Sequence, residues 1–227
     1  MLNNTAIVLA SGSGVRFGGK VPKQFLPLLD KPVFLYSVET LARHPGIQKV
    51  VVVCHPDWNE GCRQWMAHLQ TPWTVVPGGD TRMESGWNGL QAAGSDTQLV
   101  LIHDAARPLL RPALISELLE AAHLHGAVVP AVPCADTLIE THEQHVAAIP
   151  ERVRIRRVQT PQAFRYSLLL EAFRRARHDG VQNPTDDAGL VYRLGLPVVW
   201  IPGDEENIKI TTQADFLAAE TLLRSRG

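Results

Sequence analysis

Short apolar runs alternate with stretches of helical periodicity along this 227-residue chain. Residues 5–9 read as a buried first strand, followed at once by a glycine-rich turn. Over Val33–Arg43 the residues Phe34, Val38 and Leu41 share a helical face, and His44-Pro45-Gly46 ends the pattern. The β-branched run 49–54 marks a strand covered on both faces. Residues 59–69 suit a helix, and 73–76 a short strand ending in Pro77-Gly78-Gly79. Asp80 or Thr81 can cap the next helix, in which Met83, Trp87 and Leu90 line one face. A buried strand at 99–102, a helix at 112–123 and a strand at 126–132 continue the alternation. Such βα repetition predicts an α/β fold, a Rossmann-like, doubly wound and mostly parallel sheet with its ligand at the carboxyl ends of the strands.

The pattern breaks over 134–158, where β-prone pieces at 137–140, 145–149 and 153–158 alternate with charge. This reads as a projecting arm with too little core to stand alone. It is expected to pack against a second subunit, making a homodimer. After Thr160-Pro161-Gln162 the helical pattern returns, with a helix at 167–176. Thr185-Asp186-Asp187-Ala188 opens another helix, with Thr185 as the expected cap. A strand at 197–201 follows, then Asn207-Ile208-Lys209-Ile210 and a last helix at 214–223. No stretch has linker character, so residues 1–227 are expected to form one domain with the arm as an excursion.

Composition narrows the class. Hydrophobic residues make up 45% and charged residues 20%, as in an ordinary globule. A net charge of −1 speaks against a broad nucleic-acid surface but allows a local cationic pocket. Cys54, Cys62 and Cys134 are odd in number and scattered, which fits a reducing compartment such as the cytoplasm. Their spacing resembles no zinc site. No apolar run reaches 18 residues and Met1-Leu2-Asn3-Asn4 is not basic, so neither a membrane span nor a signal peptide is expected.

The chemistry centres on Leu9-Ala10-Ser11-Gly12-Ser13-Gly14-Val15-Arg16, with Pro22-Lys23-Gln24-Phe25 behind it. Small residues let the backbone turn close to a ligand, and exposed N–H groups in such a turn attract anions. Arg16 and Lys23 add two positive charges, and the set suits a nucleoside triphosphate. The dinucleotide fingerprint fails because Phe17 stands at its third glycine and no acidic residue closes a second strand near Asp30. The phosphate P-loop fails because Val21 follows Lys20 where a hydroxyl is needed. The turn alone could also be a plain strand-to-helix connection.

Further polar clusters fall at strand ends: Gly79-Asp80 with Arg82 and Ser85, Asp104 with Arg107, Asp136-Thr137, Thr160-Pro161-Gln162, and Lys209. Each has a bland reading. Asp80 can be a helix cap, Asp104 and Arg107 a structural ion pair, and Lys209 a surface lysine. Arg152, among Arg154, Arg156 and Arg157, can belong to a solvated basic face. His103 is more readily a packed strand-end histidine than a ligand. Their joint placement at the ligand end of the sheet favours a site.

The words LASGSGVRF, PKQFLPL, GGDTRMES, HDAARP, ADT, QTPQAF, TDDA and NIKITT, in this order, span nearly the whole chain. In them the sequence resembles the 2-C-methyl-D-erythritol 4-phosphate cytidylyltransferases of the non-mevalonate isoprenoid pathway, and the related ribitol-5-phosphate cytidylyltransferases. The resemblance implies a nucleotidyltransferase-type fold with a dimerising β-arm, CTP as donor and Mg²⁺ as cofactor. It makes Arg16, Lys23 and Lys209 catalytic. It gives Ala10, Ser11, Gly12, Ser13 and Gly14 to the triphosphate, and Gly79, Asp80 and Ser85 to the cytosine. Asp104 and Ala105 fall on the ribose and magnesium side, with no direct metal ligand assigned. Arg107, Thr137, Thr160 and Arg152 fall on the acceptor side, Arg152 reaching into a partner's site.

Ile139 stands where the methylerythritol-phosphate enzymes often carry a lysine, and Ile149-Pro150 looks more like the ribitol-phosphate relatives. Methylerythritol phosphate is the expected acceptor and ribitol 5-phosphate the alternative. A UTP-using nucleotide-sugar synthase, a non-catalytic nucleotide-binding domain and a dinucleotide oxidoreductase are more distant readings.

Overall fold

The computed structural model describes residues 3–12, 21–181 and 184–226. Its first strand, β1 (Asn4–Ala10), leads through the two-residue strands β2 (Pro27–Leu28) and β3 (Lys31–Pro32) into helix α1 (Val33–Arg43). Then come β4 (Lys49–Cys54), α2 (Asn59–Met66), β5 (Trp73–Pro77), α3 (Arg82–Ala93), β6 (Leu99–Asp104) and α4 (Pro112–His125). Strand β7 (Ala127–Pro133) precedes the hairpin β8 (Glu140–His142) and β9 (His145–Ala148). The chain returns through β10 (Arg156–Val158) and β11 (Gln162–Arg165) to α5 (Tyr166–His178), α6 (Asp187–Arg193), β12 (Val199–Pro202) and α7 (Gln213–Arg226).

The central sheet runs β5-β4-β1-β6-β11-β7, and β7 pairs further with β10 and β12. Neighbours from β5 to β6 are parallel, as are β7 and β12. Strands β10 and β11 are antiparallel to their neighbours, so the sheet is mixed around a largely parallel core. Alternation along the strands divides the interior. Ala6, Val8, Val50 and Val52 face α1, α2 and α4, whereas Ile7, Val51 and Val53 face α3, α5 and α6. Helix α7 closes a smaller cluster with Leu28, Val33, Leu109 and Ile210.

Four sequence expectations need correction. The helix expected over 59–69 stops at Met66, after a single 3-10 turn over Pro56–Trp58. Strand β11 has no counterpart among the expected strands: Gln162–Arg165 carries only two apolar residues, and its partners β6 and β7 are distant in sequence. The third piece of the expected arm does not project, because Arg156–Val158 pairs with Ala131, Val132 and Pro133 of the main sheet. Asp186, not Thr185, caps α6, its carboxylate accepting from the Gly189 N–H at 2.9 Å. At α3 the cap is Thr81, in a reciprocal capping box with Glu84.

Helix α3 lies unusually close to the sheet. A Cβ on Gly89 would sit 2.5 Å from Ile7 Cγ2 and 2.9 Å from Val53 Cγ2. Both neighbours are completely buried. We therefore expect Gly89→Val to destabilise the fold by about 1–3 kcal/mol through overpacking. Thermal or urea denaturation tests this, and an unchanged midpoint would mean that β1 and β4 yield.

Candidate active site

A cavity of about 570 Å³ opens at the carboxyl ends of β1, β5 and β6. Its walls come from Ser11 and Gly12, from Lys23 and Gln24, from the start of α3, from Asp104 to Ala106, and from Lys209. Sequence reasoning points to most of these. Ser13, Gly14 and Arg16 lie outside the described residues.

The strand end and the lysine turn are tied together by Gln24. Its buried amide donates to the carbonyls of Ala10 and Gly12, both at 2.7 Å. Lys23 opens the same 3-10 turn, Lys23–Phe25. Phe25 anchors that turn by stacking on Trp58 at 4.4 Å and meeting Phe34 edge-on at 5.6 Å. The lysine thus stands on an apolar footing.

Across the cavity the chain must come close to β1. A Cβ on Gly78 would lie 2.4 Å from Ser11 Cβ, and one on Gly79 2.3 Å from Glu84 Cβ. Glycine at both positions lets the turn pack against its neighbours. Ser85 Oγ accepts from the Ser11 hydroxyl at 2.8 Å and from the Gly79 N–H at 3.1 Å. That arrangement leaves the Ser85 proton for a ligand. Asp80 lines the cavity without capping α3.

A chain of charges crosses the floor. Asp104 Oδ2 lies 2.7 Å from Lys209 Nζ, and its Oδ1 4.0 Å from Arg82 Nη2. The same Arg82 nitrogen donates to Asp187 Oδ2 at 2.7 Å. Burial alone would raise the Asp104 carboxyl, but Lys209, Arg82 and Arg107 outweigh it and hold it at about 2. Burial pushes the Asp187 carboxyl upward against the pull of Arg82. Its Oδ1 is buried with no hydrogen-bond partner among the described residues, and so is Arg82 Nη1.

Beneath Asp104 lies a second network. The Asp104 N–H donates to Thr160 Oγ1 at 3.0 Å, and that hydroxyl lies 3.1 Å from His103 Nδ1. His103 Nε2 lies 3.0 Å from the Arg107 carbonyl. Burial pushes the His103 imidazole down to about 4, so it is neutral near pH 7. Arg107 Nη1 donates to the Asn207 carbonyl at 2.7 Å, and Asn207 Nδ2 to the Thr160 carbonyl at 2.8 Å.

The residues expected on the acceptor side therefore do not gather in the cavity. Arg107 is held against Asn207, and Thr160 is buried with its hydroxyl engaged on two sides. Thr137 and Arg152 are exposed, and Arg152 Nη1 donates to the Ala135 carbonyl at 3.1 Å. Sequence reasoning assigns no role to Gln24 or Asn207, and counts Arg82 only as a member of the polar cluster after β5. Arg82 carries a readable signal, since a cation in the first turn of a helix opposes the macrodipole and needs another reason to be there. The partners of Gln24 and Asn207 are backbone carbonyls, which leave no mark in sequence.

No cluster of three or more His, Cys, Asp or Glu residues suited to a metal is present among the described residues. The cavity does offer the carboxylates of Asp80 and Asp104, hard oxygen donors. One or two such groups suffice for Mg²⁺ when substrate phosphates supply other ligands. The site fits that mode of binding.

Comparison with known proteins gives the family and the fold. The profile of the family described as IspD, 2-C-methyl-D-erythritol 4-phosphate cytidylyltransferase, matches residues 4–225. The protein of that name from Desulforamulus reducens is 41% identical over 230 residues, covering 100% of this chain and 98% of the relative. The one from Geobacillus kaustophilus is 40% identical over 227 residues, covering 99% of each. Among solved structures, 4-diphosphocytidyl-2C-methyl-D-erythritol synthase from Anaerococcus prevotii superposes with a TM-score of 0.87 at 27% identity, over 98% of this chain and 99% of that one. With its family profile matched almost from end to end and its fold shared, the chain belongs to the 2-C-methyl-D-erythritol 4-phosphate cytidylyltransferase family.

Proposed function

We propose that this chain, as one nucleotidyltransferase domain, transfers CMP from CTP to the phosphate of 2-C-methyl-D-erythritol 4-phosphate, giving 4-diphosphocytidyl-2-C-methyl-D-erythritol and pyrophosphate. The observation that carries the reading is the convergence of Lys23, Lys209 and the Ser11–Gly79–Ser85 cluster on one cavity. The backbone of residues 10–14, with Ala10 and Gly12 braced by Gln24, receives the triphosphate. Gly79, Asp80 and Ser85 read the cytosine, where the free Ser85 proton meets an acceptor on the base. Ala105 and Asp104 lie on the ribose side.

The acceptor needs no general base. A phosphate monoester has a second pKa of about 6, so near neutral pH it is largely dianionic and already nucleophilic. The difficulty is bringing two anions into line and stabilising the charge that builds on the α-phosphate. In this reading Lys23 and Lys209, which both line the cavity, supply that stabilisation together with Arg16. Mg²⁺, when bound, supplies further neutralisation of the phosphate oxygens, with Asp104 and Asp80 as the carboxylates able to reach it.

The acceptor side is completed by a second copy of the chain. The arm hairpin and the residues flanking it expose Ile149 at 65% and Val153 at 75%, with Leu138, Ile139 and Val146 also exposed. Apolar side chains so open to water are suited to burial in an interface. Paired arms would carry Arg152 and Thr137 toward the neighbouring cavity, leaving Arg107 to border it. The three cysteines are free and buried, in keeping with a reducing cytoplasm. Among the described residues no helix is long and apolar enough to cross a membrane.

Pyrophosphate release with CTP and Mg²⁺ tests the reading. Methylerythritol phosphate is expected to be used in clear preference to ribitol 5-phosphate, and the reverse preference would overturn the acceptor assignment. Lys23→Ala is expected to lower kcat by at least about 100-fold, the size of losing one preorganised transition-state contact. The KM for CTP should change far less. Near-normal turnover in that variant would remove Lys23 from the chemistry.

A further inference from the structure

His55 stands just past the end of β4 and lines the cavity, with its side chain 54% exposed. We propose that His55 is a further donor-nucleotide residue: its Nε2 proton meets an oxygen at the β,γ end of the triphosphate, the part released as pyrophosphate. The inference rests on the reading of the cavity as a CTP site.

Among the described residues, one ring nitrogen is engaged and the other is not. Nδ1 accepts the Asp57 N–H at 3.4 Å and lies 3.4 Å from Asp57 Oδ2. In the neutral ring an accepting Nδ1 leaves the proton on Nε2. In the charged ring both nitrogens carry protons, and Nδ1 turns to the carboxylate instead. Nε2 is a donor in either state, and it has no hydrogen-bond partner among the described residues. A donor in a cavity wall shared with Lys23 suits an anionic oxygen.

The backbone around His55 is fixed on both sides. The Cys54 carbonyl accepts from the Gly78 N–H at 2.8 Å, and the His55 carbonyl from the Trp58 N–H at 2.9 Å. Pro56 disfavours the helical region for the residue before it, and His55 is extended, with φ −62° and ψ 139°. The chain therefore leaves β4 for the 3-10 turn Pro56–Trp58 with the ring at the cavity wall. Trp58 of that turn stacks on Phe25 of the Lys23 turn at 4.4 Å, and Trp65 stacks on both, 6.2 Å from Trp58 and 6.1 Å from Phe25. Two short turns on one apolar support thus present Lys23 and His55 to the same cavity. Gly79, Asp80 and Ser85 come from the other side, after β5. The support shared with Lys23 favours the phosphates over the base.

The test uses the full chain and measures binding of CTP, CMP and inorganic pyrophosphate by calorimetry with Mg²⁺, in the unaltered protein, His55→Leu and His55→Gln. Leucine keeps much of the ring's bulk and removes the donor, whereas the glutamine amide restores a donor. His55→Leu is expected to weaken CTP and pyrophosphate about 10-fold each, the size of one hydrogen bond to a charged group, and to leave CMP within about 2-fold. In the transfer assay the KM for CTP should rise by the same factor, with kcat and the acceptor KM changed far less. His55→Gln should recover most of the loss.

CMP weakened as much as CTP, or a lost preference for CTP over UTP, would place the ring against the nucleoside and overturn the inference. Unchanged pyrophosphate binding in His55→Leu would overturn it as well. Should His55→Leu not fold, nitrogen-15 NMR of the unaltered protein still decides: saturating pyrophosphate is expected to shift the His55 Nε2 signal, and an unmoved signal refutes the contact. Absence of transfer by the unaltered protein would sink the functional reading, and the pyrophosphate measurements would still decide the role of His55 by themselves.

Discussion

The ion pair between Asp104 and Lys209 closes the site. A carboxylate at the end of a buried strand is costly unless cations face it, and here they face it from several sides. Lys209 meets it at 2.7 Å and Arg82 at 4.0 Å, while Asp187 holds Arg82 at 2.7 Å. The start of α3, the start of α6 and the segment before α7 are therefore all fastened to β6. Ion pairs whose carboxylates are buried in this way are weak evidence for stability, because desolvation offsets much of the attraction. They fix geometry, and a reaction that aligns two phosphates depends on geometry.

Hydrogen bonding supplies the rest of that geometry from below the cavity. Gln24 does for the glycine turn what Thr160 and His103 do for Asp104: a buried side chain braces a segment that itself meets solvent. Apolar packing supports both. Phe25 and its aromatic neighbours carry the turn of Lys23, and Ile102 and Leu101 carry the end of β6. The exposed face of the site is built from few atoms, and most of what orients them is out of contact with any ligand.

This division explains what could be read in the sequence. Strong periodicity belongs to elements with one apolar face or two, so α1 and β4 are legible to the residue. Strand β11 is not, because four residues carry no period and its partners are far away in sequence. The two cap assignments depend on which of two adjacent polar side chains turns inward, Thr81 beside Asp80 and Asp186 beside Thr185, and sequence does not fix that. In the site, Lys23, Asp80, Ser85, Asp104 and Lys209 stand out because charge or hydroxyl at a strand end is conspicuous. Arg107 and Thr160 stand out equally but are engaged by the protein itself, Arg107 with the Asn207 carbonyl and Thr160 with the Asp104 N–H and the His103 ring. Residue type reveals their chemistry, and only the fold reveals where it is spent.

The charges on the cavity floor also constrain how CTP is received. Among the described residues, Asp104 and Asp187 balance Arg82 and Lys209, so the network as it stands adds no net positive charge. A triphosphate needs more than a neutral floor. Lys209 is the member of the network most open to a ligand, being 41% exposed at its side chain while Arg82 is locked between two carboxylates. A lysine kept in place by a carboxylate before the substrate arrives loses little further side-chain freedom on binding. The same pair that closes the site thus holds Lys209 in place at the cavity wall.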